Sequence, residues 1–133
     1  ELGKSLFARQ SCIVCHSVLP SEPQKGPYLG TVGNLFDRDL LITHIVKPNA
    51  EVAQGFQTKS FTLKNGSMVS GFVTAEDDKS ITVRSMVGTS QIITVSNVAK
   101  RSVSKTSMMP PGLVNTLTLE EFAALLDYLQ SLH

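Results

Sequence analysis

The sequence has no tryptophan, two tyrosines and six phenylalanines, so aromatic residues make up only 6% of its 133 positions. An interior with so few rings is filled by Leu, Val and Ile, or in part by a bound apolar group. Charge of one sign is also missing. Twelve Lys and Arg stand against eleven Asp and Glu, a formal net charge of +1. No basic run or stripe breaks that balance, which argues against a nucleic-acid partner. No apolar stretch approaches the ~20 residues that span a bilayer, so no transmembrane segment is expected. A charged-then-apolar leader is lacking as well. A cleaved leader and a domain cut from a longer chain both explain that, and the helix-like opening favours the excised domain. What is present is ordinary for a globular protein: 41% hydrophobic and 17% charged residues, enough for one core or one core with a small insert.

Along the chain the hydrophobic period changes twice. Leu2, Leu6 and Phe7 fall at helical spacing and predict a short amphipathic helix over 2–10. Pro20, Pro23, Gly26, Pro27, Gly30 and Gly33 mark a long loop over 20–34. A second helix is predicted from Asp37 to Val46, with Leu40, Leu41, Ile45 and Val46 on its apolar face, ended by Pro48. From about Gln57 the pattern alternates. Lys64-Asn65-Gly66 is a strong hairpin turn, because Asn-Gly accepts positive φ. Phe61 and Leu63 lead into that turn as a first strand. Further strands are predicted over 67–75, 80–87 and 91–96, and Val98 to Ser104 reads as a short fifth. Five such strands suggest a small barrel or a curled sheet. Val69, Gly71 and Val73 alternate with Met68, Ser70 and Phe72 as on a half-buried strand, and Gly71 would permit the bending that closes a barrel. Met68 and Met86 read as core fillers of this segment. Glu76-Asp77-Asp78 reads as a charged turn, with a cation site as the sharper alternative. Thr118-Leu119-Glu120-Glu121 has capping-box form, and Phe122, Leu125, Leu126, Leu129 and Leu132 continue it as a helical stripe.

The two cysteines are not scattered. They stand in Cys12-Ile13-Val14-Cys15-His16, a C-x-x-C-H sequence of the kind that attaches c-type haem. Two thiols at this spacing reach the two vinyl groups of one porphyrin, and the adjoining histidine sits under the iron. Three other readings stay open: a redox dithiol, half of a zinc site and a structural disulfide. The redox reading lacks the βαβ surroundings of a thioredoxin-like motif. The zinc reading lacks further ligands at short spacing.

Gly3-Lys4-Ser5-Leu6-Phe7, Cys12 to His16, Gly26-Pro27-Tyr28-Leu29, Met109-Pro110 and Tyr128-Leu129 together resemble a class I cytochrome c. The likeness covers both ends of the chain, with its pieces in family order, and is interrupted by the β-rich stretch. With that interruption the chain is similar to the haem-binding domain fused to dehydrogenase-like proteins in Planctomycetes and Verrucomicrobia. The resemblance implies one covalent haem c with iron held by His16 and Met109. It also implies that the Pro27 carbonyl accepts a hydrogen bond from the other ring nitrogen of His16. Met108 is the neighbouring alternative to Met109, and packing in the core is the plain one. Pro27 can also serve only to stiffen a turn. Gly3 and Tyr128 resemble the family's contact between first and last helices. His44 is conceivable as a second imidazole ligand, against its reading as an exposed helix residue.

The expected architecture is α+β: a mostly helical class I cytochrome c core, residues 1–56 and 105–133, with an inserted Sm-like five-stranded antiparallel β barrel, residues 57–104. A barrel of that kind binds RNA elsewhere, but fold does not carry function, and this segment lacks a basic, aromatic surface. It is read as a cover or docking face. Two axial ligands would saturate the iron, so the expected role is single-electron transfer and not catalysis. The expected setting is the periplasm, with a redox partner or a fused dehydrogenase domain as electron donor. The alternatives are a haem-based gas or redox sensor, and a partner-docking module whose haem is structural.

Overall fold

In the computed structural model every residue except 53–55 and 86 is described, so Met86 lies outside the described residues. Contacts divide the chain into two compact units, Glu1–Glu51 with Met109–His133, and Val52–Met108.

The first unit holds four helices, α1 (Leu2–Arg9), α2 (Val32–Leu35), α3 (Arg38–Val46) and α4 (Leu119–Gln130). Their ends follow local chemistry. Asp37 caps α3 by accepting from the Leu40 amide at 2.9 Å, and Pro48 follows its last turn. Thr118 and Glu121 close a reciprocal capping box at the start of α4: Thr118 Oγ1 accepts from the Glu121 amide, and Glu121 Oε2 accepts from the Thr118 amide. Leu6, Phe7, Val32, Leu41, Leu125, Leu126 and Leu129 form the core. Helices α1 and α4 lie close because Gly3 has no side chain. A Cβ there would overlap the Ala124 carbonyl oxygen and come within 2.6 Å of Tyr128 Cβ. Phe7 meets the Tyr128 ring edge-on, with centroids 5.7 Å apart. The predicted apolar face of α3 is narrower than expected: Leu41 is buried, whereas Leu40 and Val46 are exposed.

The second unit is a five-stranded antiparallel sheet in the order β4-β3-β2-β1-β5. Its strands are β1 (Lys59–Leu63), β2 (Met68–Glu76), β3 (Ser80–Arg84), β4 (Ser90–Thr94) and β5 (Val98–Val103). Phe61, Leu63, Ile81, Val83 and Ile93 are its core. The β1–β2 hairpin turns at Gly66, with φ +86°, and Asn65 Oδ1 accepts from the Ser67 amide at 3.0 Å. Gly71 packs where a Cβ would overlap the Arg84 carbonyl oxygen of the neighbouring strand. Asp77 Oδ1 accepts from the amides of Lys79 and Ser80 at 2.8 and 2.7 Å, which makes residues 76–80 a hydrogen-bonded turn.

These elements correct the expected architecture. Helix accounts for 30% and strand for 23%, so the chain does not look like a mostly helical cytochrome c. The helical share is low because Val52–Met108 forms its regular structure mainly as strands, and because Pro20, Pro23 and Pro27 deny helix to the stretch after the cysteines. The β barrel is corrected too. Among the described residues β4 pairs only with β3 and β5 only with β1, so the sheet has two open edges. Met68 is not a core filler; it is 67% exposed. Met68 shares the outward face of β2 with exposed Ser70, opposite Val69 and Gly71, and the alternation breaks only at Phe72, which is buried beside Gly71.

Candidate functional site

Helix α1 ends at Arg9 with Gln10 as its C-cap, and Ser11 takes a left-handed conformation with φ +65° that turns the chain into a short 3₁₀ turn over Cys12–Val14. The Cys15 and His16 amides both donate to the Cys12 carbonyl, at 3.2 and 2.9 Å. Two thiols and an imidazole are therefore held on one turn. No disulfide joins the cysteines; both are free and half-buried. Burial pushes the Cys12 thiol up from its ordinary value, its backbone hydrogen bond opposes that, and the neighbouring Cys15 adds a smaller push upward.

His16 is fixed from a distance in sequence. Its Nδ1 lies 2.8 Å from the carbonyl oxygen of Pro27, eleven residues on. A carbonyl oxygen can only accept, so this bond puts the proton on Nδ1 and the ring lone pair on Nε2. Burial pushes the imidazole below its ordinary value, partly offset by the Pro27 bond. The ring is thus a neutral donor, the form that binds a metal.

The loop that brings Pro27 back is tied down by contacts that sequence reasoning missed. Glu22 Oε2 accepts from the amides of Val18 and Leu19 at 2.8 and 2.9 Å. Those two bonds, Leu19 first, hold its carboxyl below the usual carboxylate range. The Leu29 amide donates to the Ser17 carbonyl at 2.8 Å, and Tyr28 Oη donates to the Val18 carbonyl at 3.3 Å. Gly26 lies directly on the Cys15 backbone, where a Cβ would stand 3.0 Å from the Cys15 oxygen. A glutamate three and four residues beyond two amides, between prolines, was the available signal. Helix α2 was missed as well, inside the stretch expected to be loop.

Met109 is half-buried in the irregular segment between β5 and α4 and belongs to the same compact unit as His16, whereas Met108 falls in the other unit. His44 is on α3, tilted against Phe36 with ring centroids 4.8 Å apart. The exposed-residue reading of His44 does not hold: the residue is half-buried, and its Nε2 is buried without a hydrogen-bond partner among the described residues. No group of three or more His, Cys, Asp or Glu side chains converges among the described residues, so the zinc reading finds no ligand set there.

Neither a family model nor a curated protein matches this chain.

Whether haem fits is therefore a question for the donor set. A pocket of about 140 Å³ beside Cys15 and His16 is lined also by Ile13, Ser17, Glu22, Pro23 and Lys25. That is well below the ~300–1,000 Å³ of a drug-sized ligand pocket, so the fit does not rest on a preformed cavity. It rests on two free thiols and an oriented neutral imidazole on one turn, a set that matches two thioether links and one axial nitrogen. On that turn Ile13 and Val14 are 55% and 58% exposed, apolar surface that a porphyrin face would cover. Among the described residues no helix is long and apolar enough to cross a membrane.

Proposed function

We propose that this chain is a monohaem c-type electron-transfer domain. Cys12 and Cys15 attach one haem c, His16 Nε2 is one axial iron ligand, and Met109 supplies the other. The observation that carries the reading is the C-x-x-C-H turn with the His16 ring oriented by the Pro27 carbonyl at 2.8 Å. Such a bond fixes ring orientation and raises ligand basicity, and losing one costs about 10–100-fold in metal affinity. When bound, haem iron supplies one-electron Fe(III)/Fe(II) chemistry. The chain's own residues hold and tune it. The Met109 thioether is a soft donor that raises the reduction potential relative to a second imidazole. Pro110 and Pro111 follow Met109 and stiffen its segment. With both axial positions taken by protein, no position is left for substrate, which favours outer-sphere electron transfer over catalysis. The short motifs shared with class I cytochromes c support the ligand assignment. The periplasm, where thiols are joined to haem outside the cytoplasm, is the compartment that follows. A redox partner or fused dehydrogenase domain is the donor that this role requires.

Acid–acetone extraction tests the proposal. The colour is expected to stay with the polypeptide, whose mass exceeds that of the bare chain by one haem. Pigment passing into the solvent, or a mass equal to the bare chain, sinks it.

A further inference from the structure

Charge is not spread evenly over the chain. Residues 52–108 carry seven Lys and Arg against three acids, a formal charge of +4, whereas the other compact unit carries five against eight, a charge of −3. The three acids of the β unit are consecutive, Glu76-Asp77-Asp78, where β2 turns into β3. Glu76 is paired with Arg101 at 2.7 Å, and Asp77 is held in the turn by the Lys79 and Ser80 amides. The basic excess falls at one margin of the sheet. Lys100, Arg101 and Lys105 lie on β5 or just beyond it and are exposed. Lys100 and Lys105 enter no ion pair among the described residues.

The same margin is open. Strand β5 pairs only with β1, so its outer row of N–H and C=O groups meets no other strand among the described residues. An added strand completes an edge of this kind. The two faces of β5 differ. Lys100 and Ser102 stand opposite Thr62 and Ser60, on the side away from the core. Arg101 stands opposite buried Phe61, its guanidinium 5.6 Å from the ring centroid, and Val103, 55% exposed, shares that side. A strand laid there meets a cation on one face and an apolar side chain on the other. A second copy of β5 fits badly, since its own lysine and arginine bring like charge to the edge. Nucleic acid and lipid have no strand to add. The unit also offers no exposed ring to a base: Phe61 and Phe72 are buried, and half-buried Phe56 packs edge-on against Phe72.

We propose that β5 is a docking edge for an acidic, extended segment of a partner protein. The segment adds as a further strand, with carboxylates toward Lys100 and small apolar side chains toward Val103. Backbone bonds to the edge supply affinity, and the alternation of side chains supplies specificity. This goes beyond the haem reading and does not depend on it.

Fluorescence anisotropy with the purified full chain tests this. The probe is a labelled, end-blocked peptide of about eight residues that alternates Glu and Val, long enough to cover β5. Wild type is expected to bind it saturably, and more weakly as salt rises. Lys100→Glu/Lys105→Glu is expected to weaken binding about tenfold and Lys100→Gln a few-fold, whereas Lys4→Glu, a charge reversal in the other unit, leaves it unchanged. The mild glutamine change tells lost recognition from lost folding. A peptide alternating Lys and Val, and the Glu/Val peptide methylated at every backbone amide, are expected not to bind. Equal binding by wild type and Lys100→Glu/Lys105→Glu overturns the assignment to β5, and binding that survives methylation overturns strand addition. A dimer that Lys100→Glu/Lys105→Glu abolishes overturns the proposal in favour of a second copy. Wild type that ignores the Glu/Val peptide overturns it outright, whether or not single-stranded RNA or phosphatidylserine vesicles bind in its place.

Discussion

Replacing Gly3 by alanine sets two effects against each other, and the structure decides which prevails. In an isolated helix the change is favourable by about 0.8–1.0 kcal/mol, because glycine is a poor helix former. Gly3 lies in the first turn of α1, so the gain is at most that. Against it stands the contact with α4: the new Cβ would overlap the Ala124 carbonyl oxygen and sit 2.6 Å from Tyr128 Cβ. Neither is the free end of a flexible side chain, so the helices must move apart. Separation would disturb Leu6, Phe7, Leu125 and Leu129, which are at most 4% exposed. Overpacking of this kind costs about 1–3 kcal/mol, so the net loss is on the order of 1–2 kcal/mol. With a urea m-value near 2 kcal/mol/M, the midpoint falls by roughly 0.5–1 M. The assay is urea unfolding followed by the helical circular dichroism band, with Ser5→Ala on the exposed side of α1 as the control that gains propensity without a clash. A Gly3→Ala midpoint equal to or above wild type refutes the close approach of α1 and α4.

Thr118→Ala removes one half of the capping box and is expected to cost about 1 kcal/mol, read as a lower urea midpoint; an unchanged midpoint means the α4 cap adds nothing. Glu121 is held below its ordinary value first by the Arg9 side chain, at 2.7 Å, and then by the Thr118 amide. A depressed folded value means that its contribution is present above the ordinary 4.5 and is lost as pH falls through the folded value. Stability of wild type should therefore drop on acidification more steeply than that of Glu121→Gln, and parallel curves would refute the linkage. At the proposed iron site, Met109→Ala should abolish the weak methionine–iron band at the red end of the oxidised spectrum while Met108→Ala keeps it. The reverse pattern would make Met108 the ligand.

Some of this protein is written in contiguous residues and some only in its folding. Cys12, Cys15 and His16 are adjacent in sequence, so their grouping needs one local turn and was legible at once. The α4 cap was legible for the same reason, since Thr118 and Glu121 are three residues apart and their bonds close within a single helical turn. The Asn65-Gly66 hairpin follows from backbone sterics that a dipeptide already contains. Other features depend on chain segments far apart. The oxygen that meets His16 belongs to Pro27 because Glu22, Tyr28 and Leu29 fold the loop back; composition marks a loop there but not its path. Helix α2 is only four residues long, too short to show a helical period inside a stretch marked as loop by its prolines and glycines. The open edges of the sheet depend on which strands pair, which alternation does not specify. The buried Nε2 of His44 is likewise a property of tertiary packing, because a histidine on a helix is hidden or exposed according to what other elements lay against it.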